Sequence, residues 1–161
     1  MSIRTGIGYD SHRFAEGRRL VLGGVEIAEA ERGLIGYSDA DALAHALIDA
    51  LLGAAALGDI GERYPDTDER WRDADSIELL RDARGAVADA GFAVVNVDAT
   101  VLCEAPKLAP YREAMRERLA GALGVLPGAV GVKFTSGEGM GFVGRGEGIA
   151  ALAVATLEPA G

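Results

Sequence analysis

Phe92-Ala93-Val94-Val95-Asn96-Val97-Asp98-Ala99-Thr100-Val101-Leu102 alternates and is rich in β-branched residues, the pattern of a long strand. Helical signals flank it on both sides. Upstream, Asp75 or Ser76 opens a stretch with Ile77, Leu80, Arg84 and Val87 at helical spacing, closed by Gly91. Downstream, Glu104-Ala105-Pro106-Lys107-Leu108-Ala109-Pro110 breaks the strand, and Pro110 opens a second helix that runs through Leu123 to Gly124. Further out, Val130 to Phe134 and Ile149 to Leu157 read as strands around a glycine-rich connection. Ser38 reads as the N-cap of an Ala/Leu-rich helix reaching about Leu57, and Gly58 to Asp68 as a polar loop. Near the start, Ile3 to Tyr9 reads as a strand, and Arg19–Leu22 with Val25–Ile27 as two strands around Gly23-Gly24. Hairpins and crossovers are mixed in this order. The expected fold is α/β of the α+β type, a mixed β-sheet with helices packed on one face, as a single domain over residues 1–161.

The 161 residues carry 25 acids against 16 bases, a formal net charge of -9, and only Lys107 and Lys133 are lysines. Such a surface repels nucleic acid and anionic lipid, so neither is expected as a partner. No apolar run reaches the ~20 residues that span a membrane, and Met1 to Gly6 lacks the apolar core of a signal peptide. With the single Cys103 in an apolar run, a reducing cytoplasm is the expected location. An anionic substrate would need positive potential from a metal, a few arginines or backbone N–H groups.

Both histidines stand beside acids. Asp10-Ser11-His12 closes the first strand, where residues i and i+2 share a face. Asp41, His45 and Asp49, at i, i+4 and i+8, make a polar stripe on an otherwise apolar helix. Imidazoles with a carboxylate describe a zinc or similar divalent site, and the spare helical acids would fix a histidine's tautomer. Two capped core histidines are the alternative, and spacing alone leaves both readings open. Residues 139–144 match G-x-G-x-x-G, but Gly144-Arg145-Gly146-Glu147-Gly148 is no helix start, so a dinucleotide site is rejected. The glycines suit either close backbone approach to a ligand or another subunit, with Glu138 available to Mg²⁺, or a flexible hairpin loop. Cys103 reads as a small apolar filler, and Trp71 and Arg112 to Arg118 as surface.

Taken together, Asp10-Ser11-His12, Ser38-Asp39-Ala40-Asp41, His45-Ala46-Leu47, Gly58-Asp59-Ile60-Gly61, Tyr64-Pro65-Asp66-Thr67-Asp68, Asn96-Val97-Asp98, Ala105-Pro106-Lys107 and Gly144-Arg145-Gly146-Glu147-Gly148-Ile149 resemble the 2-C-methyl-D-erythritol 2,4-cyclodiphosphate synthase family. The pieces occur in order over nearly the whole chain. The resemblance implies conversion of 4-diphosphocytidyl-2-C-methyl-D-erythritol 2-phosphate into the cyclic 2,4-diphosphate and CMP, a step of the non-mevalonate isoprenoid pathway.

It further implies Zn²⁺ held by Asp10, His12 and His45, and Mg²⁺ or Mn²⁺ held by Glu138 with the substrate diphosphate. Ser11, Ser38, Asp59, Ile60, Gly61 and the loop Tyr64, Pro65, Asp66, Thr67, Asp68 would contact the methylerythritol phosphate. Cys103, Glu104, Ala105, Pro106, Lys107, Leu108 and Ala109 would form the cytidine pocket, with Thr135, Ser136 and Gly137 near the phosphates. The implied assembly is a homotrimer with shared active sites, whose central cavity takes an isoprenoid diphosphate near Phe142 and Arg145. Tyr37 stands where the family commonly has a histidine, and Ser136 keeps a hydroxyl where it commonly has threonine. Tyr37 and Ser136 are thus the expected catalytic side chains. Two competing readings are a non-catalytic isoprenoid-binding trimer and a generic zinc phosphoesterase.

Overall fold

The computed structural model describes residues 2–161. In chain order the elements are β1 (Arg4–Ala15), β2 (Val21–Leu22), β3 (Val25–Glu26), β4 (Gly33–Leu34), α1 (Ala42–Ala54), α2 (Ile60–Arg63), α3 (Ser76–Asp89), β5 (Phe92–Leu102), α4 (Arg112–Leu123), β6 (Val130–Thr135), α5 (Gly141–Gly144) and β7 (Gly148–Pro159). Five strands form a sheet in the order β4-β1-β7-β5-β6. β5 and β6 run parallel, joined through α4, and every other pair is antiparallel. The sheet is mixed, as expected, and its long helices α1, α3 and α4 pack against it. No helix among the described residues is long and apolar enough to cross a membrane.

Small residues set the distance between the layers. α1 lies across β1 and β7. A Cβ on Gly6 would sit 2.1 Å from the Ala50 carbonyl oxygen, and one on Gly8 only 1.8 Å from that of Ala46. Glycine on the strand and alanine on the helix let the two backbones touch, which is why α1 is so rich in alanine. The other sheet face is bare. Ile7 (72% exposed) lies opposite Val154 (44%), and Tyr9 (52%) opposite Leu152 (40%), so four large apolar side chains form one patch.

Several boundaries differ from expectation. β1 runs on to Ala15, so Asp10 and His12 lie within a strand rather than at its end. The loop from Gly58 contains one helical turn, α2, because Asp59 caps it by accepting from the Glu62 N–H. α1 starts at Ala42 with Asp41 as its N-cap, not at Ser38, and it stops at Ala54. The reason is Ala40, whose φ of 58° lies in the left-handed region and breaks any helix begun at Ser38.

Asp41 is fully buried and accepts from three N–H groups: Ala44 at 3.0 Å, Gly23 at 2.9 Å and Gly24 at 2.7 Å. It therefore caps α1 and pins the β2–β3 turn to it. Asp41→Ala removes the cap and strands two turn amides, so we expect a loss of about 3 kcal/mol in urea unfolding. Burial first, then the charge of Asp39, raises the Asp41 carboxyl from 3.8 to about 6. Between those values the folded chain holds a proton that the unfolded chain has released. Its contribution to stability thus falls as pH rises through that window, by about 1.4 kcal/mol per unit, and is flat above it. The stability difference between wild type and Asp41→Asn, measured at pH 4, 5 and 6.5, should decline in that order.

Candidate metal centre

Alternation along β1 turns Asp10 and His12 toward α1, and the close approach at Gly8 brings the first turn of α1 down beside them. His45, on that turn, completes the group. Asp10 Oδ2 lies 2.7 Å from His12 Nε2 and 3.2 Å from His45 Nδ1, and the two ring nitrogens are 3.2 Å apart. The other nitrogen of each ring is occupied. His12 Nδ1 is 3.0 Å from the Ile35 carbonyl oxygen, which can only accept, so Nδ1 carries the proton and Nε2 presents a lone pair. His45 Nε2 is 2.8 Å from Ser76 Oγ and 3.1 Å from Ser38 Oγ.

Asp10 Oδ2, His12 Nε2 and His45 Nδ1 thus face one point, and the ligand atoms of the three residues all lie within 4.8 Å of one another. Such a set fits a divalent cation with open coordination positions. A proton competes with the cation for that place. Burial depresses the His12 imidazolium, but its hydrogen bond and charge pairing with Asp10 outweigh this and raise it above 6.5. Burial likewise raises Asp10, and the two histidines more than reverse that, holding the carboxyl below 3.8.

The spare carboxylates do not do what the stripe suggested. Asp41 is the cap described above. Asp49 accepts from the Ile60 N–H at 2.8 Å and so ties α2 to α1. Neither touches a histidine ring. The groups that hold His45, Ser38 and Ser76, come from the chain before α1 and from the first residue of α3. A serine at a helix start gives no sign that it will meet a histidine 31 positions away, and Ser76 was legible only as a helix start.

A cavity of about 380 Å³ opens beside the cluster, lined by His12, Tyr37, Ser38, His45, Ile60, Gly61, Tyr64, Pro65, Asp66, Thr67, Trp71 and Leu79. Most of the expected methylerythritol side is therefore gathered in one place. Trp71, read from sequence as surface, is part of this wall and packs edge-to-face on Tyr64 at 5.1 Å. The Tyr64 hydroxyl turns away, donating to Asp82 at 2.6 Å, so only its ring faces the cavity. Tyr37 donates to the Asp68 carbonyl at 3.3 Å, with Arg72 over its ring. The Asp68 carboxylate is taken up by Arg70.

Other expected residues lie elsewhere in the chain. Ser11 points to the opposite sheet face, where with Phe142 it lines a second cavity. Ala105 and Pro106 line a third, with Phe14 and residues 29–32. Cys103 is buried beside the Pro106 carbonyl, and burial pushes its thiol up to about 11, as befits a filler. Lys107 and Ala109 are exposed and Leu108 is buried. Glu104 accepts from the Gly137 and Gly139 N–H groups, bracing the glycine-rich loop, and Ser136 Oγ accepts from the Glu138 N–H. Thr135 and Glu138 are exposed, Glu138 with φ 51°, and Glu138 is not among the three clustered ligands. Arg145 is paired with Glu147.

A family model described as the YgbB family matches residues 3–158. The chain is 62% identical over 160 residues to the 2-C-methyl-D-erythritol 2,4-cyclodiphosphate synthase of Rubrobacter xylanophilus, covering 98% of this chain and 96% of that one. It is 63% identical over 155 residues to a bifunctional enzyme IspD/IspF of an Anaeromyxobacter species, covering 96% of this chain but only 40% of that relative's length. Among solved structures, a 2C-methyl-D-erythritol-2,4-cyclodiphosphate synthase in a CDP-bound form matches with a TM-score of 0.88 at 39% identity, over 96% of this chain and 100% of that one. A CDP complex of IspF from Plasmodium falciparum matches with a TM-score of 0.86 at 29% identity, over 99% and 98%.

Proposed function

The chain belongs to the YgbB family, and from that premise we propose that it acts, as one domain in the cytoplasm, as a 2-C-methyl-D-erythritol 2,4-cyclodiphosphate synthase. An oxygen of the substrate's own 2-phosphate attacks the β-phosphorus of the cytidine diphosphate arm. The bond from that phosphorus to the CMP oxygen breaks, and CMP leaves. The observation that carries this reading is the convergence of Asp10, His12 and His45, with both histidines lining a cavity walled by Ile60, Gly61, Pro65 and Thr67. A Zn²⁺ ion bound by the three ligands would supply positive charge to the diphosphate, which a chain of net charge -9 otherwise lacks. The protein's own work is positioning. The 60–67 wall holds the methylerythritol arm so that the attacking oxygen stands in line, and no side-chain nucleophile is needed. Glu138 would hold Mg²⁺ or Mn²⁺, and the loop 103–109 the cytidine.

CMP release from the authentic substrate tests this reading. It should be lost on treatment with a chelator and restored by zinc. A chain that releases inorganic phosphate from simple esters, and no CMP, would instead be a zinc phosphoesterase.

Two observations support a homotrimer with shared sites. Ala105 and Pro106 of the expected cytidine loop line a different cavity from the methylerythritol-side residues, so a second copy would complete a site. The bare patch of Ile7, Tyr9, Leu152 and Val154 supplies an apolar face to bury. Phe142 and Arg145 would then stand near a shared axis able to take an isoprenoid diphosphate. Light scattering should report the mass of three chains at micromolar concentration, and Ile7→Lys should shift it toward one.

Tyr37 takes the place of the family's common histidine. Its hydroxyl would exchange the Asp68 carbonyl for a phosphate oxygen when substrate binds, contributing one neutral donor. Tyr37→Phe should lower kcat by about 10²-fold with little change in KM. Tyr37→His should keep activity and add a pH dependence between about 5 and 8. Full activity in the Phe variant would show that the ring only packs.

A further inference from the structure

His45 is unlike His12 in how its outer nitrogen is held. His12 meets a backbone carbonyl, whose direction no substitution can reverse, whereas His45 Nε2 meets hydroxyls, which can donate or accept. Left to itself, Ser76 Oγ at 2.8 Å could donate to His45 Nε2 and leave the proton on Nδ1, facing Asp10 and blocking the cation. The structure contains a feature that prevents this.

Ser76 is fully buried, and its hydroxyl hydrogen-bonds to Asp39 Oδ1. The same carboxylate accepts from the Ser76 N–H at 2.9 Å and from the Asp41 N–H at 3.1 Å. A carboxylate in that role accepts only, so the Ser76 proton is committed to Asp39, and Ser76 Oγ has only a lone pair left for His45. The His45 proton must then sit on Nε2, and its Nδ1 lone pair faces Asp10 Oδ2 at 3.2 Å. Ser38 Oγ, which accepts from the Ala40 N–H at 3.3 Å, stands 3.1 Å from the same nitrogen, and its hydroxyl is free to turn and accept there too, whereas the Ser76 hydroxyl is not free to donate.

We propose that Asp39 and Ser76 form a relay that fixes the tautomer of His45, making both of them positioning residues for the metal centre. This rests on reading Asp10, His12 and His45 as metal ligands. Partners of this kind are worth about 10–100-fold in metal affinity.

The test is titration of the metal-free full chain with cobalt(II), followed through the visible bands of the bound ion, alongside ¹⁵N NMR of the histidine rings at pH 8.5. Wild type should bind cobalt and show His45 protonated on Nε2. Ser76→Ala, which leaves the Asp75 cap of α3 in place, should bind about 10–100-fold more weakly and show mixed tautomers. If Ser76→Ala does not fold, Asp39→Asn, which lets the Ser76 hydroxyl turn either way, is expected to give the same mixed signal. Affinity within twofold of wild type, or weaker binding with an unchanged tautomer, would overturn the relay while leaving the metal reading intact. Failure of the wild type to bind cobalt would overturn both.

Discussion

Gly8→Ala is expected to unfold or strongly destabilise the protein, although it adds one methyl group to a buried strand. The new Cβ would lie 1.8 Å from the Ala46 carbonyl oxygen and 2.8 Å from the Ala50 nitrogen. These are backbone atoms on a helix, so no rotamer change relieves the clash, and α1 itself must lift away from β1. We expect a loss of about 3 kcal/mol or more in urea unfolding, at the upper end for overpacking. The metal centre should suffer with it. Asp10 is two residues along the strand from Gly8, and His45 is the neighbour of Ala46 on the helix. Any lift therefore separates the ligands. Gly53→Ala, on the same helix, is the control: its Cβ would meet only the Ile7 carbonyl oxygen at 3.9 Å, an ordinary contact. That variant should gain up to about 1 kcal/mol from helix propensity and keep full zinc capacity. Equal zinc content in the two variants would separate the packing of α1 from the geometry of the site.

The contrast between those two glycines shows where the sequence is legible. Periodicity marked β5 over Phe92–Leu102 to the residue, because alternating burial is written directly in residue type. The Gly124 stop of α4, with φ 69°, was equally plain. The site ligands Asp10, His12 and His45 could be read because a strand and a helix each impose a spacing on polar residues. Properties that depend on contact between distant segments could not be read. Nothing local to Asp41 says that Gly23 and Gly24 will spend their amides on it, so its place in the stripe suggested a partner for His45 instead. Trp71 among charged neighbours reads as surface until Tyr64 arrives against its ring. The glycine-rich stretch has enough freedom that composition could not place α5, a single turn starting at Gly141.

His12→Ala and His45→Ala should both abolish stoichiometric zinc binding, yet they should differ in what else they cost. Losing the ion removes several kcal/mol of charge stabilisation from the transferring phosphate, so CMP release is expected to fall by about 10³-fold in each. His12 is partly exposed, and its removal takes one partner from the Asp10 carboxylate and one from the carbonyl of the exposed residue Ile35. Asp10 keeps His45 at 3.2 Å, so the metal-free variant should lose only about 1 kcal/mol against metal-free wild type. His45 is buried between Ser38 and Ser76, and its loss leaves both hydroxyls short of a partner beside a void. That should cost about 2–4 kcal/mol whether or not metal is present. In metal-loaded wild type, binding adds stability that depends on free ion, about 4 kcal/mol at a thousandfold excess over Kd. Urea unfolding of the three proteins with zinc and with chelator should therefore give zinc-dependent stability in wild type alone. His45→Ala should be the least stable of the three under chelator. If zinc stabilises His12→Ala as much as wild type, His12 is not a ligand and the metal reading fails at that residue.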